Sequence, residues 1–303
     1  MLRLMHLVII SGLSGSGKSI ALNMLEDAAY FCVDNLPSPL LQQLVDELAA
    51  QGYDKVAVAI DSRGGQSIAT LPQALAALRQ NARQDIELQF LILDAKTETL
   101  LNRYSETRRR HPLANAQRTV SEAIAEERAR LEALTGLGHH IDTSDLSPNA
   151  LREWIRQFIS AKAAPGLTLI FESFGFKHGL PLDADTVFDV RCLPNPFYVP
   201  ALRAQTGRDA AVIAYLEGEA DVLRMRDDIA RFIDAWLPAY LRDNRSYLTI
   251  AIGCTGGQHR SVYFAEFLAA RFRDAARTLV RHRELSRPQV DRRNALAGLS
   301  PPR

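Results

Sequence analysis

Lysine is scarce in this chain: Lys18, Lys55, Lys96, Lys162 and Lys177 stand against 31 arginines. A GC-rich genome is the ordinary source of such a bias, and it leaves few lysines to weigh. Cysteine is scarcer still. Cys32, Cys192 and Cys254 lie far apart without metal-ligand spacing, which speaks against a disulfide framework and fits a reducing cytoplasm. Long apolar runs are missing, so no membrane span is expected, and the first residues lack the long apolar region and small-residue cleavage site of a secretion signal. The net charge is only +1 over 303 residues and points to no partner by itself. What remains, 47% hydrophobic and 23% charged, is the composition of a soluble globular chain. It is long enough for two domains, each with its own core.

One of the five lysines sits in the most informative stretch. Gly12, Leu13, Ser14, Gly15, Ser16, Gly17, Lys18 and Ser19 spell GLSGSGKS, which fits G-x-x-x-x-G-K-[ST]. An apolar run, His6 to Ser11, precedes it, and a segment able to continue as a helix, Ile20 to Glu26, follows. Strand, glycine-rich turn and helix together make a phosphate cradle out of a pattern. The glycines let successive N–H groups converge on one anion at a helix N-terminus. Lys18 is expected on the β- and γ-phosphates and the Ser19 hydroxyl on Mg²⁺. The stretch predicts binding of a nucleoside triphosphate, with Lys18, Ser19 and Asp61 as the catalytic set.

Around this loop the chain alternates strands and helices. Strands are expected at 30–33, 56–60, 88–93 and 140–143, and helices at 39–50, 71–82, 97–110, 119–135 and 147–160. The run from Val56 to Ile60 is continuously apolar, as a buried parallel strand should be. It ends at Asp61, where a P-loop protein holds its Mg²⁺ through water. Asp94 closes the 88–93 strand and competes for that role, with position favouring Asp61. The arginine-rich stretch from Arg103 to Pro112 fits either a lid over the phosphates or a solvated basic helix end. Thr119-Val120-Ser121-Glu122 is a capping box. His139 and His140 read as strand-edge residues rather than ligands. The expected architecture is α/β: a doubly wound parallel P-loop domain over 1–160, a linker at 161–166, a second α/β domain over 167–290 and a tail at 291–303.

The second half repeats the device. A strand at 248–252 leads into Gly253 and then Cys254, Thr255, Gly256, Gly257, Gln258, His259, Arg260 and Ser261, before a helix to about Ala276. The C-x5-R-[ST] spacing is that of cysteine-dependent phosphatases, with Cys254 as nucleophile. Against this, Gly253 stands where those enzymes commonly place histidine, and only Asp183, Asp185 and Asp189 offer a general acid. The milder reading is a pocket for a phosphorylated metabolite, with Arg260 and His259 supplying charge and donors. A small-molecule kinase with Asp34 as base is the main rival reading of the whole chain.

Several long strings make the chain resemble a known family: GLSGSGKS, FCVDNLP, DSRG, RYSETRRRHPL, FESFGFKHGLP, DVRCLPNP and YLTIAIGCTGGQHRSVY. Over nearly its whole length it is similar to the RapZ/YvcJ family of bacterial nucleotide-binding proteins. The resemblance implies binding of ATP and GTP with slow hydrolysis, and an oligomer of identical subunits in the cytoplasm. It matches Gly12–Ser19 to the ATP site and Asp61, Ser62, Arg63 and Gly64 to a GTP-binding segment. It further implies that the C-terminal half senses glucosamine-6-phosphate. In enteric members the protein presents a small regulatory RNA to an endoribonuclease through basic residues near the C-terminus. From Arg271 onward nine arginines face three acids here, a local excess suited to a phosphate backbone. Arg281, Arg283 and Arg287 are the RNA contacts expected on that basis.

Overall fold

The computed structural model describes residues 4–62, 67–81, 86–107, 111–114, 118–160, 167–242, 245 and 247–285. The first half runs β1 (Met5–Gly12), α1 (Lys18–Asp27), β2 (Phe31–Val33), α2 (Leu41–Ala50), β3 (Lys55–Ala59) and α3 (Ser67–Asn81). It continues with β4 (Ile86–Asp94), α4 (Thr97–Thr107), α5 (Val120–Leu131), β5 (His139–Asp142) and α6 (Pro148–Ser160). Its five strands are all parallel, in the order β2-β3-β1-β4-β5. Strand β1 lies at the centre, with Ile10 level with Ala59 on one side and Leu91 on the other.

Because side chains alternate along a strand, β1 feeds two cores. Leu7 and Ile9 pack with Leu41, Val45, Leu71 and Leu75 of α2 and α3. Val8 and Ile10 pack with Leu22 and Leu25 of α1 and with Trp154, Ile155 and Phe158 of α6. Both faces are covered, which is why β1 and β3 carry unbroken apolar runs rather than an alternation. The capping box forms as its spacing requires. The Thr119 hydroxyl accepts from the Glu122 amide at 3.2 Å, and the Glu122 carboxylate accepts from the Thr119 amide at 2.8 Å.

The second half runs β6 (Thr168–Gly175), β7 (Thr186–Asp189), α7 (Ala210–Glu217), α8 (Ala220–Arg242), β8 (Tyr247–Cys254), α9 (Arg260–Phe272) and β9 (Arg277–His282). Its sheet, β7-β8-β6-β9, is again parallel throughout. Leu169 and Phe171 of β6 face α8 and α9, packing with Ile229, Ile233, Phe264 and Phe272. Ile170, on the opposite face, joins the cluster that holds α6, with Tyr247 and Leu279 packed against it. Helix α6 therefore lies between the two sheets. The short helix α7 has no counterpart in the periodicity, since AAVIAYLE offers almost no polar face.

The halves are also tied by charge. Arg281 of β9 donates to the Asp183 carboxylate at 2.7 Å and to the Asp142 carbonyl at 2.6 Å. Asp183 in turn accepts from the Asp142 amide at 2.9 Å. Glu172 stands 3.7 Å from the same guanidinium.

Candidate nucleotide site and a second anion loop

The loop after β1 has the backbone its sequence requires. Gly12, Gly15 and Gly17 have φ of 137°, 87° and 111°, values that L side chains rarely adopt. At Gly12 a Cβ would also lie 2.1 Å from the Leu93 carbonyl oxygen. Gly17 caps α1 without any side-chain bond, so the helix N-terminus opens directly onto the glycine loop, the arrangement that suits an anion. The Lys18 ammonium lies across the loop, donating to the carbonyls of Gly12 at 2.7 Å and Leu13 at 3.1 Å. Both acceptors belong to the loop itself, so the ammonium is held against the backbone that the glycines shape. Ser19 is exposed on the first turn.

Asp61 follows β3, and the Ile60 amide donates to the Ile10 carbonyl at 2.9 Å, which carries Asp61 alongside the start of the loop. It is buried, as is Ser62. A hydroxyl on α1 and a carboxylate on the neighbouring strand end are hard oxygen donors of the kind Mg²⁺ takes, with water and phosphate completing its shell. Asp94 is engaged elsewhere. One Arg128 nitrogen lies 2.7 and 2.6 Å from its two oxygens, and the Ala95 amide donates to it at 2.7 Å. That ion pair removes Asp94 from the competition for a cation. Among the described residues no three His, Cys, Asp or Glu side chains are grouped to hold a metal alone. Arg63, Gly64 and Arg108 to Arg110 lie outside the described residues.

Arg103 reaches the loop from α4, donating to the Gly15 carbonyl at 3.0 Å and to the Thr143 hydroxyl and carbonyl at 3.2 and 2.7 Å. The Thr143 hydroxyl contacts the Ser16 carbonyl at 2.9 Å. Glu127 of α5, which no motif marks, meets the loop as well: it accepts from the Ser14 amide at 2.8 Å and the Ser14 hydroxyl at 2.9 Å. The one signal available for it is helical spacing, since it falls on the same face as the buried Ala123, Ile124 and Leu131.

The second loop, Cys254 to Arg260, packs tightly against β6. Gly257 has φ of 72°, and a Cβ there would meet the Gly175 amide at 2.6 Å. The Cys254 sulfur accepts from the Gly257 amide at 3.1 Å and lies 3.2 Å from the Ser261 hydroxyl. Arg260 is buried. One of its terminal nitrogens donates to the Arg191 and Leu193 carbonyls at 2.8 and 2.6 Å, and the other approaches the Thr255 hydroxyl at 3.4 Å. Its Nε is buried without a partner. The guanidinium edge carrying Nε and the second terminal nitrogen, the edge next to Thr255, is thus held in place and incompletely used.

Three expectations for this half need correction. His259 is buried against the Leu202 carbonyl, 3.2 Å away, and burial lowers its pKa, so its ring is turned to the protein and its charged form is disfavoured there. The general acids considered for a phosphatase are all engaged. Asp183 is paired with Arg281, Asp185 accepts from the Thr249 amide and pairs with Arg245, and Asp189 pairs with Arg191, whose hydrogen bond holds its pKa down. Arg281 and Arg283 are not on the surface. Arg281 is 4% exposed and Arg283 1%, and Arg283 donates to the carbonyls of Gly175 and Gly179 at 3.2 and 2.6 Å. Internal acceptors hold both side chains, which removes them as RNA contacts; Arg287 lies outside the described residues.

Ser173, His282 and Glu266 form a hydroxyl–imidazole–carboxylate chain, with distances of 2.7 and 3.0 Å. Ser173 is wholly buried on β6, so the chain ties β9 and α9 to β6 rather than meeting a substrate. No helix among the described residues is long and apolar enough to cross a membrane.

A nucleotide-binding protein of Dechloromonas aromatica (strain RCB) is 62% identical over 282 residues, covering 93% of this chain and 99% of the relative. A nucleotide-binding protein of Azoarcus sp. (strain BH72) is 60% identical over 294 residues, covering 97% and 100%. Among solved structures, a sugar kinase from Janibacter sp. HTCC2649 aligns with 52% of this chain and 95% of its own, at 19% identity and a TM-score of 0.36. The model of the RapZ-like N-terminal domain matches residues 5–163, and that of the RapZ C-terminal domain matches residues 167–286. With both models matched in sequence along one chain, the protein belongs to the RapZ family of nucleotide-binding proteins.

Proposed function

We propose that this chain is a nucleotide-dependent regulator: it binds ATP or GTP with Mg²⁺ at the Gly12–Ser19 loop, hydrolyses it slowly, and responds to a phosphorylated metabolite at the Cys254–Ser261 loop. The observation that carries the reading is the first loop itself, three glycines at positive φ leading into a helix without a side-chain cap, with the Lys18 ammonium across its mouth. Lys18 and the α1 amides would hold the β- and γ-phosphates. Ser19 and Asp61 would hold Mg²⁺, which supplies charge neutralisation between those phosphates. Arg103 would add positive charge from α4.

The incompletely used edge of Arg260 supports a phosphate ligand in the second loop, and glucosamine-6-phosphate is the candidate that the family resemblance brings. A regulatory coupling is supported by the short path between the halves. Asp142, which Arg281 holds, is followed by Thr143, which touches both Ser16 and Arg103. For the RNA and endoribonuclease partners, Arg287 and the arginines beyond it remain once Arg281 and Arg283 are withdrawn.

The test is nucleotide turnover by wild type and Lys18→Ala, with and without a panel of sugar phosphates. Turnover that depends on Lys18 and changes with a sugar phosphate left chemically intact is the expected result. A stoichiometric phosphorylated product would establish the kinase reading instead, and turnover unchanged in Lys18→Ala would remove the loop from the mechanism.

A further inference from the structure

Helix α5 places a charged residue where its pattern calls for an apolar one. Glu127 is fully buried, in line with Ala123, Ile124 and Leu131 on the inward face. Taking a carboxylate out of water costs several kcal/mol unless its lone pairs are filled. They are filled. One oxygen, Oε2, accepts from the Ser14 amide at 2.8 Å and lies 3.1 Å from His111 Nε2. The Leu113 amide donates to His111 Nδ1 at 3.1 Å, so in the neutral ring Nε2 carries the proton and donates to Glu127. The other oxygen, Oε1, accepts from the Ser14 hydroxyl at 2.9 Å and the Ser62 hydroxyl at 2.5 Å. A carboxylate has about four acceptor sites, and an ionised one donates nothing. All four donors here come from protein.

These donors belong to three segments that the fold brings together from different places. Ser14 is in the phosphate loop, Ser62 follows Asp61 on the turn after β3, and His111 ends the arginine-rich stretch after α4. A core side chain needed only for packing would serve as well with carbon atoms at its tip. We propose that Glu127 is a positioning residue of the nucleotide site, fixing the outer limb of the phosphate loop, the turn that carries Asp61 and the segment around His111 relative to one another. The inference rests on the nucleotide reading above. It assigns Glu127 no contact with the nucleotide. Its effect passes through Ser14 to the loop and through Ser62 to the Mg²⁺-side carboxylate.

Glu127→Gln tests this with little change of shape. The Ser14 and Ser62 hydroxyls can turn to accept from the new amide, while its oxygen keeps the Ser14 amide and His111. What is lost is the ionised anchor on which the three segments converge. Calorimetric binding of ATP with and without Mg²⁺, followed by steady-state turnover, separates the possible outcomes. Expected in Glu127→Gln is a kcat reduced about tenfold or more, with Mg²⁺-free ATP affinity changed by about threefold or less. The Mg²⁺ concentration for half-maximal tightening of ATP binding should rise. Ser62→Ala should move the same Mg²⁺ dependence in the same direction, and the double variant should be no worse than Glu127→Gln alone. If Glu127→Gln does not fold, Ser62→Ala decides by itself. A Mg²⁺ dependence identical to wild type in whichever folded variant is measured overturns the inference. Wild type that binds no ATP overturns the nucleotide reading and the inference with it.

Discussion

Replacing Arg281 with alanine removes the charge that joins the two halves, and the structure sets the size of the effect. The guanidinium is 4% exposed and makes bonds of 2.7 Å to Asp183 and 2.6 Å to the Asp142 carbonyl. Hydrogen bonds to charged groups contribute about 1.5–3 kcal/mol each, and breaking a buried pair from one side costs about 3–5 kcal/mol because the other charge is stranded. Asp183 would keep backbone hydrogen bonds, among them that from the Asp142 amide, but would lose its charged partner. A loss of about 3–5 kcal/mol is therefore expected in urea unfolding at pH 7. Without Arg281 the Asp183 carboxyl takes up a proton more readily, so the deficit should shrink as the pH is lowered towards 5. Adding Asp183→Asn to the variant should recover part of the loss, since no charge is then stranded. A loss below about 1 kcal/mol at pH 7, the size of an exposed pair, would refute the account of Arg281 as a buried tie.

Other outcomes can be measured on the same protein. Lys18→Ala should abolish nucleotide turnover while leaving the unfolding midpoint close to wild type; persistence of turnover would exclude the first loop. Arg260→Ala should weaken glucosamine-6-phosphate binding by about 2 kcal/mol through loss of a charge-assisted contact, and equal calorimetric affinities would end the proposal for the second loop. Through Glu172, stability should fall as the pH rises from about 4.5 through about 8: burial pushes its carboxyl up from the ordinary 4.5 to about 8, so its contribution is complete below the unfolded value and is lost as the pH rises through the folded one. Glu172→Gln should flatten that arm, and an unchanged slope would count against it. On the acid side, burial holds His139 down at about 3, so its contribution, complete above 6.5, is lost as the pH falls; His139→Phe should reduce that acid-side loss in urea titrations.

The strands were legible because both sheets are parallel and covered on both faces, which writes Leu7–Ile10 of β1, Val56–Ala59 of β3 and Phe90–Leu93 of β4 as continuous apolar runs. The phosphate loop was legible for a different reason: its backbone admits glycine at fixed positions, so the requirement appears directly in the residue types. Glu127 was not legible. In the run Glu126-Glu127-Arg128 it reads as surface charge, and its donors lie on the phosphate loop, beyond β3 and before α5. Arg281 and Arg283 misled for a related reason. Alternating with Val280 and His282 near a basic end, they suggest a solvated edge, whereas their acceptors are Asp183, Asp142, Gly175 and Gly179. A local pattern reports charge but not the distant carbonyls that neutralise it.

The placement of α6 between the two sheets bears on how the chain is made. As synthesis proceeds, β5 and α6 are complete well before their covering surface exists. His139, Trp154 and Phe158 stack on one another at 4.8 to 5.6 Å, and Tyr247 closes that stack with ring distances of 5.2 Å to His139 and 5.6 Å to Phe158. Until β8 emerges from the ribosome, this aromatic face has no lid, and the nascent first half carries an adhesive surface on the helix that the second half is to bury. A fragment ending after α6 would keep that surface permanently, and should be recovered as aggregates or in complex with chaperones, whereas supplying residues 167–285 in trans would cover it.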